Sequence, residues 1–306
     1  MRLGELSSQE VRTRLTQHEI RLRVGPFSIS VASDQPSFWP AFHLLYQDFP
    51  LLEDDVPVEF RIGLTYPPGI RRWLRQQVLF FLDDATPFEP FTSRLALPFF
   101  EWGFNWCIYE HVYEFLVMHA AVLARDGKAL ILPGPPGSGK STLCAALAFR
   151  GWRFLSDEFA LFDIAGGALF PLPRPVGLKE QSIGVIRAFA SDAVFGPTFT
   201  DTRKGTVAHL RPPPAAVASA DEPAIPHWLI FPTYSRDADN KLEPLGKANA
   251  FALASESCFN YRTLGADGFS ALTRTIDRCA CFEVAFNDID AMVCVLDQLA
   301  TGSERT

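Results

Sequence analysis

The sequence predicts an α/β fold in which a mixed sheet is flanked by helices, with a small β-rich module before it. Three observations support this prediction. Residues 129–163 have the pattern of a strand, a glycine-rich loop, a helix and a second strand. Strand and helix patterns continue to alternate after them, which is typical of a sheet with covered faces. In residues 20–100, short runs alternate apolar and polar residues, as half-buried strands do.

The chain is long enough for one large domain or two modest ones. It has 306 residues, of which 48% are hydrophobic and 21% charged, as in ordinary globular proteins. We divide it into a β-rich N-terminal module, residues 1–110, and a second domain, residues 111–306. The net charge is −7 and the basic residues are scattered, with one short cluster at Arg71, Arg72 and Arg75. This charge gives no reason to expect nucleic-acid binding.

The N-terminal module begins with a helix and then contains mostly strands. Ser7 and Glu10 form the pattern of a capping box, which predicts a helix to about Gln17. The further predicted elements are strands at residues 20–24, 27–31, 58–64 and 78–82 and a helix at residues 38–46. The pattern leaves packing, partner docking and oligomer contacts open as roles for this module.

An aromatic-rich stretch, residues 99–106, follows the module. Such a stretch is typical of an interdomain core, and a pocket for a nucleotide base or a partner is the alternative. A helix is predicted over residues 104–115, leading to His119. The stretch therefore marks the junction between the module and the second domain.

The loop at residues 134–141 matches the pattern G-x-x-x-x-G-K-[ST] without a mismatch. Glycines allow successive backbone N–H groups to point at phosphate oxygens, and the following helix adds the positive end of its dipole. Lys140 would neutralise the β- and γ-phosphates, and the Ser141 hydroxyl would ligate Mg²⁺. The predicted nucleotide-binding residues are Gly134, Gly137, Ser138, Gly139, Lys140, Ser141 and Thr142.

An acidic pair, Asp157 and Glu158, follows the second strand of this unit. The end of such a strand lies at the edge where open α/β sheets bind their ligands. We therefore predict that at least one of the two carboxylates acts on Mg²⁺ or on an attacking hydroxyl. The alternative is an ordinary solvated pair of acids in a loop.

The rest of the chain continues to alternate between strands, helices and loops. Glycines at positions 166 and 167 predict a hairpin turn. The other predicted elements are helices at residues 181–189, 247–258, 268–278 and 288–299, strands at 206–210, 227–231 and 281–286, a polar loop at 191–204 and a proline-rich linker at 212–226.

Positive side chains after the acidic pair are candidates for further phosphate contacts. Phosphoryl transfer needs positive charge near the transferred group. The candidates are Arg174, Lys179, Arg203 and Lys204, of which we favour Lys179 and Lys204.

Residues 118–158 resemble the core of HPr serine kinase/phosphorylase, and most of the chain is similar to the bacterial group called HPr kinase-related kinase A. His119 lies fifteen residues before Gly134, and Asp157 lies seventeen residues after Lys140. Both spacings match that family. The resemblance implies that the second domain is a P-loop catalytic core of the HPr kinase and PEP carboxykinase type.

The resemblance further implies an ATP-dependent, Mg²⁺-requiring kinase acting on a hydroxyl, with Ser or Thr of a small protein or peptide as the expected acceptor. Asp157 would be the general base, His119 would orient or tune it, and Glu158 would assist with the metal. A small-molecule kinase and a nucleotide-binding regulatory module without phosphotransfer are the alternatives. Because HPr kinases form hexamers, a homo-oligomer is a further expectation.

The sequence also predicts a cytoplasmic location. The N-terminus is polar and charged, so no signal peptide is expected. The most apolar window, residues 112–123, is too short to span a membrane, and no membrane partner is expected. The six cysteines form no C-x-x-C pattern, so we expect buried free thiols in a reducing compartment.

Overall fold

The computed structural model describes residues 1–69 and 76–302. The basic cluster at residues 71–75 lies outside this part of the chain. The fold is α/β with mixed sheets and flanking helices, as the sequence predicts. Within the described ranges, no helix is both long and apolar enough to cross a membrane.

A five-stranded mixed sheet forms the centre of the N-terminal module. Its strands are β1 (Ile20–Val24), β2 (Phe27–Ser33), β3 (Phe60–Thr65), β4 (Gln77–Leu82) and β5 (Phe91–Thr92). They are hydrogen-bonded in sequence order, with β2 and β3 parallel and the other pairs antiparallel. The helices beside it are α1 (Ser8–Gln17), α2 (Phe38–Tyr46) and α3 (Ala96–His111).

Most elements predicted for this module are confirmed, and the main difference lies at its end. The capping box is present, because Ser7 Oγ accepts from the Glu10 N–H while Glu10 accepts from the Ser7 N–H. The helix predicted over residues 104–115 instead spans Ala96–His111. Both ends therefore lie earlier than predicted, and the start is compatible with Pro98, which falls in the first turn, where proline costs no helical hydrogen bond.

The second half of the chain carries an eight-stranded sheet and a three-stranded sheet. Their strands are β6 (Phe115–Arg125), β7 (Lys128–Pro133), β8 (Arg153–Ser156), β9 (Phe159–Asp163), β10 (Leu169–Phe170), β11 (Val176–Lys179), β12 (Phe195–Thr202), β13 (Gly205–Leu210), β14 (Ile225–Tyr234), β15 (Lys241–Pro244) and β16 (Ala280–Phe286). The larger sheet has the order β10–β9–β6–β7–β14–β16–β15, and β8 also pairs with β6. Because β7, β14 and β16 are parallel, their carboxyl ends share one edge.

The three-stranded sheet, in the order β11–β13–β12, corrects one prediction. Residues 191–204 were expected to be a polar loop, but Phe195–Thr202 forms the antiparallel strand β12. This strand lies at an edge, where Pro197 is tolerated because one side needs no ladder hydrogen bond. The predicted linker at residues 212–226 likewise contains a short helix.

Helices cover both faces of the larger sheet. They are α4 (Lys140–Phe149), α5 (Gln181–Phe189), α6 (Pro214–Ala218), α7 (Lys247–Glu256), α8 (Tyr261–Leu264), α9 (Ala266–Arg278) and α10 (Ile289–Thr301). Alternate residues of β6 face opposite sides: Ala121 and Leu123 share a core with α4 and α10, and Ala120 and Val122 share one with α7 and α9.

A third core surrounds the N-terminal sheet and also includes residues from the second half, among them Leu172 and Phe199. The interdomain-core interpretation of the aromatic stretch is confirmed for Phe99, Phe100 and Phe104, which are buried in this core. The module and the second half therefore share buried apolar surface.

All six cysteines are free. Four are buried as predicted, whereas Cys258 is half-buried and Cys294 is exposed. The expectation of buried thiols is therefore wrong for Cys294.

Candidate functional site

The glycine-rich loop lies at the edge shared by the parallel strands. β7 ends at Pro133, and α4 begins at Lys140. Gly137 and Gly139 adopt left-handed backbone angles, with φ of +88° and +93°. A Cβ at position 139 would lie 2.6 Å from the ring of Phe286. Glycine is therefore required at position 139 both by the backbone angle and by the neighbouring ring.

Lys140 lies at the first turn of α4 and folds back over the loop. Its Nζ donates to the carbonyl oxygens of Gly134 at 2.6 Å and Pro135 at 3.0 Å. Burial lowers the pKa of Lys140, while the charges of Asp157 and Glu158 act to raise it. The ammonium group is therefore bound to the loop and close enough to both acids to be affected by their charges.

Asp157 is a buried carboxyl group just beyond β8. It is 5% exposed, and its Oδ2 accepts from the Gly177 N–H at 3.1 Å. Its Oδ1 is buried and has no hydrogen-bond partner within the described residues. Burial and, secondly, Glu158 raise the pKa of Asp157 to about 7, against the opposing effects of Ser141, the Gly177 N–H and Lys140. The group is therefore balanced between its protonated and ionised forms near neutral pH.

His119 is paired with the second acid. Its Nδ1 lies 3.3 Å from Glu158 Oε2 and 3.2 Å from the Glu158 backbone oxygen. Burial lowers the pKa of His119, and the charge of Glu158 opposes this effect. The family resemblance implied that His119 would orient or tune Asp157. In the structure, the hydrogen bond and the ion pair of His119 are both with Glu158.

A cleft of about 930 Å³ lies in front of the loop. His119, Lys140 and Glu158 line it, together with Lys179 at the end of β11 and Lys204 in the turn between β12 and β13. Burial and then the nearby charge of Lys204 lower the pKa of Lys179. The two favoured lysines therefore face the same cleft as Lys140.

The other two cationic candidates are placed differently. Arg174 is 7% exposed and forms an ion pair of 2.6 Å with Glu101 of α3. Arg203 is exposed to solvent in the turn that also carries Lys204. The structure thus separates the four candidates into two lysines at the cleft, one buried arginine and one surface arginine.

The predicted loop residues fall into two groups. Those lining the cleft are Gly137, Gly139, Lys140, Ser141 and Thr142. Gly134 and Ser138 support the loop instead. The Gly134 backbone oxygen accepts from Lys140 Nζ, and the Ser138 backbone oxygen accepts from the Tyr234 N–H at 3.1 Å.

The oxygen donors at the site fit Mg²⁺ bound together with phosphate. In residues 1–69 and 76–302, no group of three or more His, Cys, Asp or Glu side chains is arranged to hold a metal ion. Mg²⁺ commonly uses only one or two carboxylates, completed by phosphate oxygens and water. The Ser141 hydroxyl and the Glu158 carboxylate, which both line the cleft, supply donors of this kind.

Gly177, Tyr234 and Phe286 are among the site residues that sequence reasoning missed. Gly177 binds Asp157 through its backbone, which leaves no signal in the side-chain pattern. Tyr234 and Phe286 line the cleft because they end β14 and β16, the parallel strands on one side of β7. Their place could have been found only from the strand order, which the sequence does not reveal.

A scan against protein-family models and a search of the curated proteins found no match for this chain.

Proposed function

We propose that the protein is an ATP-dependent, Mg²⁺-requiring kinase that transfers the γ-phosphoryl group to a hydroxyl, with Ser or Thr of a small protein or peptide as acceptor. Under this proposal, its core is a P-loop core of the HPr kinase and PEP carboxykinase type. The observation that supports it best is that the glycine-rich loop, Lys140 and Glu158 of the acidic pair border one cleft.

Several sources of positive charge would hold the nucleotide phosphates. The loop presents backbone N–H groups, and α4 adds the positive end of its dipole. Lys179 and Lys204 face the same cleft from the three-stranded sheet. Together with Lys140, these groups would neutralise the charge on the transferred phosphoryl group.

Phosphoryl transfer to a hydroxyl needs one base that takes the hydroxyl proton. The acceptor hydroxyl oxygen bonds to the γ-phosphorus, the bond between that phosphorus and the ADP oxygen breaks, and the hydroxyl proton passes to Asp157. A carboxyl pKa of about 7 suits this role at neutral pH. Mg²⁺, held by Ser141 and Glu158, would neutralise charge on the phosphates. His119 would hold Glu158 in place.

The acceptor would approach Asp157 from the larger cleft. The cavity that Asp157 lines has a volume of about 30 Å³, which is room for one water molecule but not for an acceptor. Glu158 and Gly177 line both this cavity and the cleft of about 930 Å³. The choice of Ser or Thr of a protein or peptide as acceptor follows the family resemblance.

The proposal is tested with radiolabelled nucleotide. The purified protein is incubated with Mg²⁺, γ-phosphate-labelled ATP and size-fractionated lysate of the source organism. Asp157→Asn is run in parallel, with Asp221→Asn, an exposed acid, as the matched control. We expect an acid-stable labelled protein band with the wild type and Asp221→Asn, and no band with Asp157→Asn.

Two other outcomes would contradict the proposal. Label confined to small metabolites would indicate a small-molecule kinase. ATP binding without transfer of label in any sample would indicate a nucleotide-binding regulatory module.

A further inference from the structure

A small polar cavity lies beside Asp157, where the two halves of the chain meet. Its volume is about 30 Å³, the space of a single water molecule. Glu101 and Asn105 of α3 line it from the N-terminal module, and Asp157, Arg174 and His209 line it from the second half. The module therefore contributes part of the wall around the proposed proton acceptor.

Three of the lining residues carry a buried polar atom that has no hydrogen-bond partner in the described part of the chain. These atoms are Asp157 Oδ1, Arg174 Nε and His209 Nδ1. A buried polar atom without a partner is destabilising, and proteins commonly satisfy such atoms with ordered water. A water molecule in this cavity would be a shared partner for the three atoms, donating to Asp157 Oδ1, accepting from Arg174 Nε and bonding to His209 Nδ1.

The guanidinium group of Arg174 is held from the module side. Its Nη2 donates to Glu101 Oε2 at 2.6 Å and to the Glu101 backbone oxygen at 2.9 Å, and its Nη1 donates to Asn105 Oδ1. Tyr46 donates to the other Glu101 oxygen at 2.7 Å. The ring of Phe104 lies 4.3 Å from the guanidinium carbon. Contacts on several sides therefore fix where the remaining donor, Nε, points.

We propose that Arg174 is a positioning residue for Asp157, acting through one water molecule in this cavity, and that the N-terminal module serves the reaction by holding Arg174. The Gly177 N–H already binds Oδ2 of Asp157. The water would bind Oδ1, so that both carboxylate oxygens are fixed. The catalytic part of this inference rests on the proposed function, whereas the water site and its contacts do not.

The sharpest variant is Arg174→Lys. Lysine keeps a positive charge for Glu101 but has no Nε donor for the cavity. The matched control is Arg211→Lys, because Arg211 forms a second ion pair with the module, to Asp48 at 3.7 Å, and does not line the cavity. The same chemical change is thus made at two contacts between the module and the second half.

Four measurements are made on the wild type and on both variants. They are the free energy of unfolding in denaturant, the dissociation constant of a non-hydrolysable ATP analogue with Mg²⁺, the kcat and KM of phosphoryl transfer, and a crystal structure at a resolution that shows ordered water.

We expect one ordered water bonded to all three unpartnered atoms in the wild type. We expect Arg174→Lys to lower kcat by about tenfold or more, since small displacements of a catalytic group have effects of this size. Its KM for ATP and the affinity for the analogue should stay within about twofold of the wild type, because the nucleotide loop is untouched. Arg211→Lys should leave kcat within about twofold.

A wild-type rate in Arg174→Lys, or a dry cavity in the wild type, would overturn the inference. If the wild type transfers no phosphate, the proposed function fails, and the crystal structure alone decides on the water site. If Arg174→Lys does not fold, the double variant Arg174→Met with Glu101→Gln is measured against the same criteria. It replaces the ion pair with a neutral pair of similar size, a change that buried sites often tolerate.

Discussion

Asp157 is a carboxyl group whose burial opposes its ionisation. Its pKa rises from an ordinary value of 3.8 to about 7 in the folded protein. Between those two values, the folded protein holds a proton that the unfolded chain has released. The stability that depends on this proton is therefore complete below about pH 4 and is lost as the pH rises through about 7.

Asp157→Asn should remove this pH dependence, because an amide stays neutral. We expect the variant to match the wild type in free energy of unfolding near pH 4 and to exceed it by a few kcal/mol near pH 8. Urea unfolding at a series of pH values measures the difference. Asp221→Asn, at an exposed position, should follow the wild type. If the free energies of unfolding of the wild type and Asp157→Asn change with pH in parallel, the raised pKa of the buried Asp157 is contradicted.

Two loop glycines differ in what a methyl group would meet. Both have left-handed backbone angles. A Cβ at Gly137 would have no atom within 4 Å, whereas one at Gly139 would lie 2.6 Å from the ring of Phe286. Gly137→Ala should therefore cost only backbone strain, about 1–2 kcal/mol. Gly139→Ala should cost about 1–3 kcal/mol more, because Phe286 must also move. Denaturant unfolding of both variants makes the comparison, and equal losses would contradict it.

The loop residues could be predicted from sequence because the glycine pattern specifies a local backbone shape. His119 and Arg174 show the limit of this reasoning. His119 pairs with Glu158, and Arg174 is buried against Glu101, because strands distant in sequence are neighbours in the sheet and α3 packs beside them. No spacing in the chain encodes those contacts.

At the scale of elements, the turn between α7 and α8 is fastened to β6 by backbone hydrogen bonds, from the His119 N–H to the Ser257 oxygen and from the Phe259 N–H to the Val117 oxygen, and by one side chain. Asn260 is 1% exposed. Its Nδ2 donates to the backbone oxygens of Val112 at 3.1 Å and Phe115 at 2.8 Å, and its Oδ1 accepts from the Val117 N–H at 2.9 Å. The turn places Phe259 against the ring of His119. Asn260 therefore ties this turn to the strand that bears His119.

Asn260→Ala would leave two buried backbone groups and one half-buried backbone group without this partner. We expect a loss of about 2–5 kcal/mol in the free energy of unfolding. Ser255→Ala, which removes a hydroxyl from the nearby helix surface, should change it by less than about 0.5 kcal/mol. Urea unfolding of the two variants tests this prediction. A similar, small effect of both would mean that water replaces the amide.

Helices and strands with a regular pattern of apolar and polar residues could be predicted from the sequence. Elements that depend on pairing with a neighbouring strand could not. In Ile20–Val24, apolar and charged residues alternate regularly, and this pattern alone predicts a strand. β12 contains a proline and half of its residues are exposed, so its pairing with β13 is what makes it a strand. The four residues of β15 are likewise held by β16, to which they pair from outside.

At the scale of the whole molecule, the core around the N-terminal sheet includes apolar residues from both halves. Leu172 and Phe199, from the second half, are buried in it. Separation of the halves would expose this surface, so neither half can unfold without weakening the other. We expect one calorimetric transition, with equal calorimetric and van't Hoff enthalpies. Two resolved transitions would contradict this coupling.

Lys140 has a consequence for the interpretation of loss-of-function variants. Its ammonium group closes the loop by bonding two of the loop's own carbonyl oxygens. A substitution that removes the charge also removes this internal brace, so a null phenotype from Lys140→Met would report two losses at once. Lys179→Met, at a lysine in the same cleft but on a different sheet, changes the charge without opening the loop and is the cleaner genetic probe.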